Sequence, residues 1–98
     1  MLFRSIVHGL NATLWGRTTF VSGKATQKNF NANRVTRINE MPVVSVQIMQ
    51  NPMDTTSPTG TGEPAVPPVA AAVANAYARL TGIRQRTLPF FPSATMSE

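Results

Sequence analysis

The stretch TGTGEPAVPPVAAAVANAYARLTG, residues 59–82, changes character halfway along and decides how the chain is read. Its second half predicts a helix. Val66, Val69, Ala70, Val73, Tyr77 and Leu80 fall on one stripe at helical spacing. Pro67 and Pro68 fit only the first turn of such a helix, where a missing N–H would have had no helical partner anyway. Gly82 stands where a C-terminal cap belongs. The alanines at 70, 71, 72, 74, 76 and 78 raise helix propensity and permit close packing against a neighbour. The first half is a glycine-bearing loop that delivers one carboxylate, Glu63, immediately before the helix. Gly60 and Gly62 allow a backbone to approach a bulky ligand closely. The prolines on both sides of Ala65-Val66 stiffen the chain, so the carboxylate is held in place. By local physics alone, the pattern is also that of an acid placed favourably at the positive end of a helix dipole.

Upstream, Asn51 to Thr61 reads as a loop, with Pro52, Pro58, Gly60 and a run of Asp, Thr and Ser. Val43 to Gln50 is the best strand in the chain: Val44, Val46 and Ile48 would point one way, Ser45, Gln47 and Met49 the other. Residues 31–42 lack a clear period and predict a loop or extended connection. Arg17 to Val21, the turn Ser22-Gly23 and a return over Lys24 to Phe30 predict a hairpin. Ile6, Val7, Leu10 and Leu14 predict a short helix over residues 5–15, stopped by Gly16. Downstream, Arg84 to Arg86 lead to Leu88-Pro89, and residues 93–98 form a polar, frayed tail.

The order is helix, hairpin, strand, long loop, helix and short extended end, an α+β chain without repeats. Its difficulty is burial. The helix stripe and one face of the Val44 strand must pack on something, and two or three strands with one helix cover little. A chain of 98 residues is one small domain at most. With no cysteine and one histidine, neither a disulfide nor a multi-histidine metal site can staple it. These traits predict a fragment of a larger domain.

Nine Lys+Arg against four Asp+Glu give a formal charge of +5, and the first acidic residue is Glu40. An acid-free N-terminal part is compatible with a nucleic-acid-binding arm or an organelle transit peptide. Against the first, the basic residues are spread out, and residues 63–82 are largely uncharged. No apolar run approaches the ~20 residues of a membrane span.

The run of residues 59–89, with IVHGLNATLWG (6–16), QKNF (27–30) and RVTRINEMPVVSVQIMQ (34–50), resembles the C-terminal segment of the molybdopterin-binding large subunit of the xanthine dehydrogenase/aldehyde oxidase family. It is most similar to the branch of the isoquinoline 1-oxidoreductase beta subunits, which also includes nicotinate-type and some aldehyde dehydrogenases. The order GEPAVPP, ANA, TG, LP is specific.

The resemblance implies that residues 1–92 are the C-terminal part of a molybdopterin-binding domain, with a disordered tail at 93–98. It makes Glu63 the catalytic base, taking a proton from a hydroxyl on molybdenum, and Gly60 and Gly62 the cofactor-approach positions. The implied reaction hydroxylates an N-heterocycle or aldehyde with water-derived oxygen. Partial burial would tune such a carboxylate for the task. The implied cofactor is molybdopterin, in its cytosine dinucleotide form, in the complete enzyme and not on the isolated fragment. The implied partners are the remainder of the molybdenum subunit and a small [2Fe-2S] subunit, with no nucleic acid and no membrane span. Compartment stays open between bacterial cytoplasm and periplasm, with membrane association through partners as a further option. The alternative function is a small basic nucleic-acid-binding or interaction protein.

Other residues take bland readings. His8 is a surface or packing histidine. Trp15 and Tyr77 are core or interface aromatics with satisfied polar tips. Met41, Met49 and Met53 fill gaps or loops. The Arg34/Arg37 and Arg84/Arg86 pairs are solvated faces or subunit contacts, and Glu40 has no chemical role.

Overall fold

The structure is a computed structural model and describes residues 2–49, 52–53, 57 and 60–91. Among them the elements run α1 (Leu2–Leu14), β1 (Phe20–Val21), β2 (Lys24–Ala25), two single 3-10 turns (Phe30–Ala32 and Ile38–Glu40) and α2 (Pro67–Thr81). The chain is α+β, as its pattern predicts. The frayed tail expected at 93–98 lies outside the described residues, as do parts of the 51–61 loop.

The second helix forms as its sequence dictates. Val66 is its N-cap, the two prolines occupy the first two helical positions, and Gly82 takes a left-handed φ of 76°. From there its N–H donates to the Ala78 carbonyl at 2.8 Å, closing the last turn. The first helix starts three residues earlier than its apolar spacing predicts and ends before Gly16. Its buried ridge is also not the predicted stripe. Ser5, Gly9 and Thr13, spaced by four, are buried together with Leu10, while Ile6, Val7 and Leu14 are only half-covered.

That ridge is what packs on α2. A Cβ on Gly9 would lie 2.8 Å from Val69 Cβ and Cγ2 and 3.1 Å from the Val66 carbonyl, so the helices meet where the side chain is missing. The hydroxyl of Thr13 donates back to the Gly9 carbonyl at 2.7 Å, satisfying itself in a buried place. Leu10 and Val69 are the buried apolar pair beside this crossing.

The C-terminal segment then closes over the end of α1. Phe90 N–H donates to the Thr13 carbonyl at 2.8 Å and Phe91 N–H to the Leu14 carbonyl at 3.0 Å. Two carbonyls that a helix end leaves without partners are thereby satisfied. Phe91 packs on Trp15 with ring centroids 5.1 Å apart, and the Arg34 guanidinium also lies over the Trp15 ring, its Cζ 3.4 Å from the centroid. Arg34 also pairs with Glu40, and Thr36 N–H donates to Asn11 Oδ1 at 2.6 Å. Arg34 is therefore not part of a solvated face. Trp15 departs from its expected satisfied tip, because its indole N–H is buried without a partner.

Two strand expectations are corrected. The hairpin turns at Ser22-Gly23, with φ of 49° and 74° as a primed turn requires, but it pairs only Phe20 with Ala25 and Val21 with Lys24. Thr26 N–H reaches the Thr19 carbonyl at 2.9 Å, and the return then leaves for a 3-10 turn. More consequentially, residues 43–49 lie in no sheet; Gln50 is outside the described residues. Val43 is fully exposed and Ile48 is 78% exposed. A strand is stabilised by a ladder to a neighbour, and a two-residue hairpin offers no edge of matching length.

Candidate functional site

Glu63 sits on the turn that feeds α2. Val66 N–H donates to the Glu63 carbonyl at 3.0 Å, so the turn closes on the carboxylate-bearing residue itself. On its other side, the Ser5 hydroxyl donates to the Gly62 carbonyl. The helix prolines add no competing donors at this end. Backbone and α1 thus hold the turn, while the Glu63 side chain remains exposed. Any burial of its carboxylate has to come from surfaces outside this chain's described residues.

Gly60, Gly62, Glu63, Pro64 and Pro67 line an open hollow of about 550 Å³. The three residues singled out from sequence are therefore brought together on one wall. Gly60 has nothing within 4 Å of the position a Cβ would take, so its bare backbone faces open space. A ligand could approach that backbone closely, and among the described residues packing gives no other use for the glycine.

This lining tests how far the residues suit a phosphate-bearing metal cofactor. It offers one carboxylate, a bare peptide and proline rings, with no cationic side chain to neutralise a phosphate. It fits as a wall presenting a base, and it does not fit as the container of such a cofactor. Among the described residues, no group of three His, Cys, Asp or Glu side chains could hold a metal ion. His8 is exposed on α1. No helix among the described residues is long and apolar enough to cross a membrane.

The residues that sequence reading missed are Ser5 and Gly9, which dock α1 against the turn and against α2. Their signal was present as small residues spaced by four, hidden beside the more conspicuous apolar positions.

Comparison with known proteins places similar sequences beside this chain. Nearly the whole chain is similar to a short stretch of much larger oxidoreductases, whose names are those of molybdenum hydroxylase subunits. It is 31% identical over 85 residues to the membrane-bound aldehyde dehydrogenase [pyrroloquinoline-quinone] of Gluconacetobacter polyoxogenes, covering 87% of this chain and 11% of that protein. It is 27% identical over 88 residues to the beta subunit of isoquinoline 1-oxidoreductase of Brevundimonas diminuta, covering 90% and 11%. A nicotinate dehydrogenase subunit of Pseudomonas putida is 31% identical over 85 residues, covering 87% and 7%. The chain therefore spans about a tenth or less of the length of these relatives. No family profile matches the chain, and no solved structure matches it.

Proposed function

We propose that this chain supplies the active-site base, Glu63, to a molybdenum hydroxylase subunit that hydroxylates an N-heterocycle or an aldehyde with water-derived oxygen. The observation that carries the reading is the turn itself. Gly62-Glu63-Pro64 is braced by main-chain and Ser5 hydrogen bonds while its carboxylate is presented, uncommitted, to an open hollow. A base needs that combination of a fixed backbone and a free proton acceptor.

In this reading, Glu63 accepts a proton at a carboxylate oxygen, and Gly60 and Gly62 let the cofactor or substrate come close to the main chain. Pro64 and Pro67 keep the wall stiff and mostly apolar. Molybdenum in its pterin cofactor, proposed as the cytosine dinucleotide form, supplies the two-electron redox chemistry when bound. The cofactor is held by the remainder of the subunit, and electrons leave by way of a small [2Fe-2S] subunit. Residues 1–92 act as one piece of the cofactor-binding domain and are inactive alone. The compartment stays open between bacterial cytoplasm and periplasm, with membrane association through partners as a further option.

One relative's name carries pyrroloquinoline-quinone, which would be a different redox group. The other two names carry no such group, and metal and quinone analysis of the complete subunit separates the two assignments. The small basic nucleic-acid-binding alternative is not favoured by any of the relatives.

The decisive experiment is Glu63→Gln in the complete subunit. The expected outcome is loss of turnover by at least about 10²-fold, the scale of general-base catalysis, with molybdenum content unchanged. Turnover near that of the unaltered enzyme sinks the assignment. The same metal analysis on the 98-residue chain is expected to find no stoichiometric molybdenum.

A further inference from the structure

Two hydrogen bonds flank the Cα of Glu63. The peptide plane before it carries the Gly62 carbonyl, which accepts from the Ser5 hydroxyl on α1. The plane after it carries the Glu63 carbonyl, which accepts from Val66 N–H at 3.0 Å. Peptide units are planar, so fixing the planes on both sides of one Cα fixes its φ and ψ, and with them the direction of its Cβ. The second bond is local to the turn. The first reaches across 57 residues of sequence and depends on where α1 lies.

That position is itself set tightly. Ser5 is 6% exposed, one turn from Gly9, whose missing side chain lets Val69 and the Val66 carbonyl settle against the α1 backbone. A slide of α1 along α2 would separate Ser5 from Gly62 and drive other side chains into Val69.

We propose that Ser5 is a positioning residue for Glu63: its hydroxyl clamps the Gly62 carbonyl and thereby sets the direction in which the carboxylate is aimed. This rests on Glu63 being the base. Ser5 touches neither substrate nor cofactor in this scheme and works through the Gly62–Glu63 peptide. The Ser5–Gly62 bond ties that helix to the turn.

The test is backbone NMR relaxation on the full 98-residue chain, comparing the unaltered protein with Ser5→Ala, Ser5→Thr and Glu63→Gln. In the unaltered chain, a Gly9–Val69 contact and rigid Glu63 and Ala65 amides, with order parameters of about 0.85, are expected. Ser5→Ala should keep the Gly9–Val69 contact and the order of α2 while the Glu63 amide falls below about 0.6. Ser5→Thr, which retains the hydroxyl, should restore it. Loss of order in α2 together with the turn would mark Ser5 as a helix-packing residue only and overturn the proposal. So would a Glu63 amide that stays rigid in Ser5→Ala, or absence of the Gly9–Val69 contact from the unaltered chain. Glu63→Gln should leave the order of the turn unchanged, because the clamp uses main-chain atoms. Failure of the clamp therefore shows in relaxation, and failure of the base assignment shows in turnover.

Discussion

Glu63 and Gly82 stand at opposite ends of α2 and show what single residues contribute. The glycine at the C-terminal end is there for backbone reasons, since a left-handed φ of 76° costs an L side chain strain while open space surrounds its would-be Cβ. Gly82→Ala is expected to destabilise the helix end by about 1–2 kcal/mol, with Gly82→Asn costing less; thermal melts followed by circular dichroism check the order. Glu40, read from sequence as having no role, closes the 3-10 turn instead. Its carboxylate accepts from Arg37 N–H at 2.9 Å and pairs with Arg34. The Arg37 backbone bond first, and then the Arg34 guanidinium, hold its pKa below the ordinary value against the opposing effect of desolvation. A carboxyl lowered in the folded chain contributes stability that is present above its unfolded pKa and lost as pH falls through the folded one. Loosening of residues 34–40 is thus expected only on acidification below the ordinary carboxylate range. A carbon-detected titration of Glu40 reads it directly, and Glu40→Gln should abolish this acid-dependent step.

At the scale of elements, the α1–α2 crossing organises the described fold. The apolar stripe of α1 placed Leu10 in the buried face, but the structure also buries a neighbouring ridge of Ser5, Gly9 and Thr13 and leaves Ile6, Val7 and Leu14 half-covered. Close approach of two backbones favours small residues, so the deepest contact falls where the sequence is least hydrophobic. Gly9→Ala is accordingly expected to force α2 away, costing about 1–3 kcal/mol, the range of overpacking in a tight contact. Denaturant titration measures the loss, and the Glu63 turn should shift with it. The α2 pattern was legible because it rests on local rules: proline at the start, glycine past the end, alanines between. Its stripe is nonetheless thinly covered, with Val69 buried and Leu80 left 86% exposed.

For the whole molecule, expansion is the governing fact. The radius of gyration is 16.9 Å, against about 13 Å for a compact domain of this length. Phe30, Ile38, Val43, Ile48 and Leu80 are among many large apolar residues left open. Such a chain has the secondary structure of a folded domain without the surfaces that would bury it. Amides of residues 43–49 are therefore expected to exchange within seconds in the isolated chain, and strong protection within a longer chain would mark pairing with a sheet edge there. Hydrogen exchange with mass analysis decides this. Protection in the isolated chain would show that it completes its own sheet.

The α+β class, the second helix with both its ends, the Ser22-Gly23 turn and the placing of Glu63 between Gly62 and Pro64 were determined by the sequence alone. Each follows from interactions within a few residues: fixed proline φ, glycine at positive φ, and helical spacing. The Val44-Val46-Ile48 alternation reads as a strand face, yet residues 43–49 lie in no sheet, because a ladder needs a second chain segment at the right distance. Only the tertiary structure decided that Ser5 reaches Gly62, that Gly9 seats Val69, and that Phe90 and Phe91 close the end of α1. Those contacts join residues far apart along the chain, and their geometry is set by how closely two helices can approach.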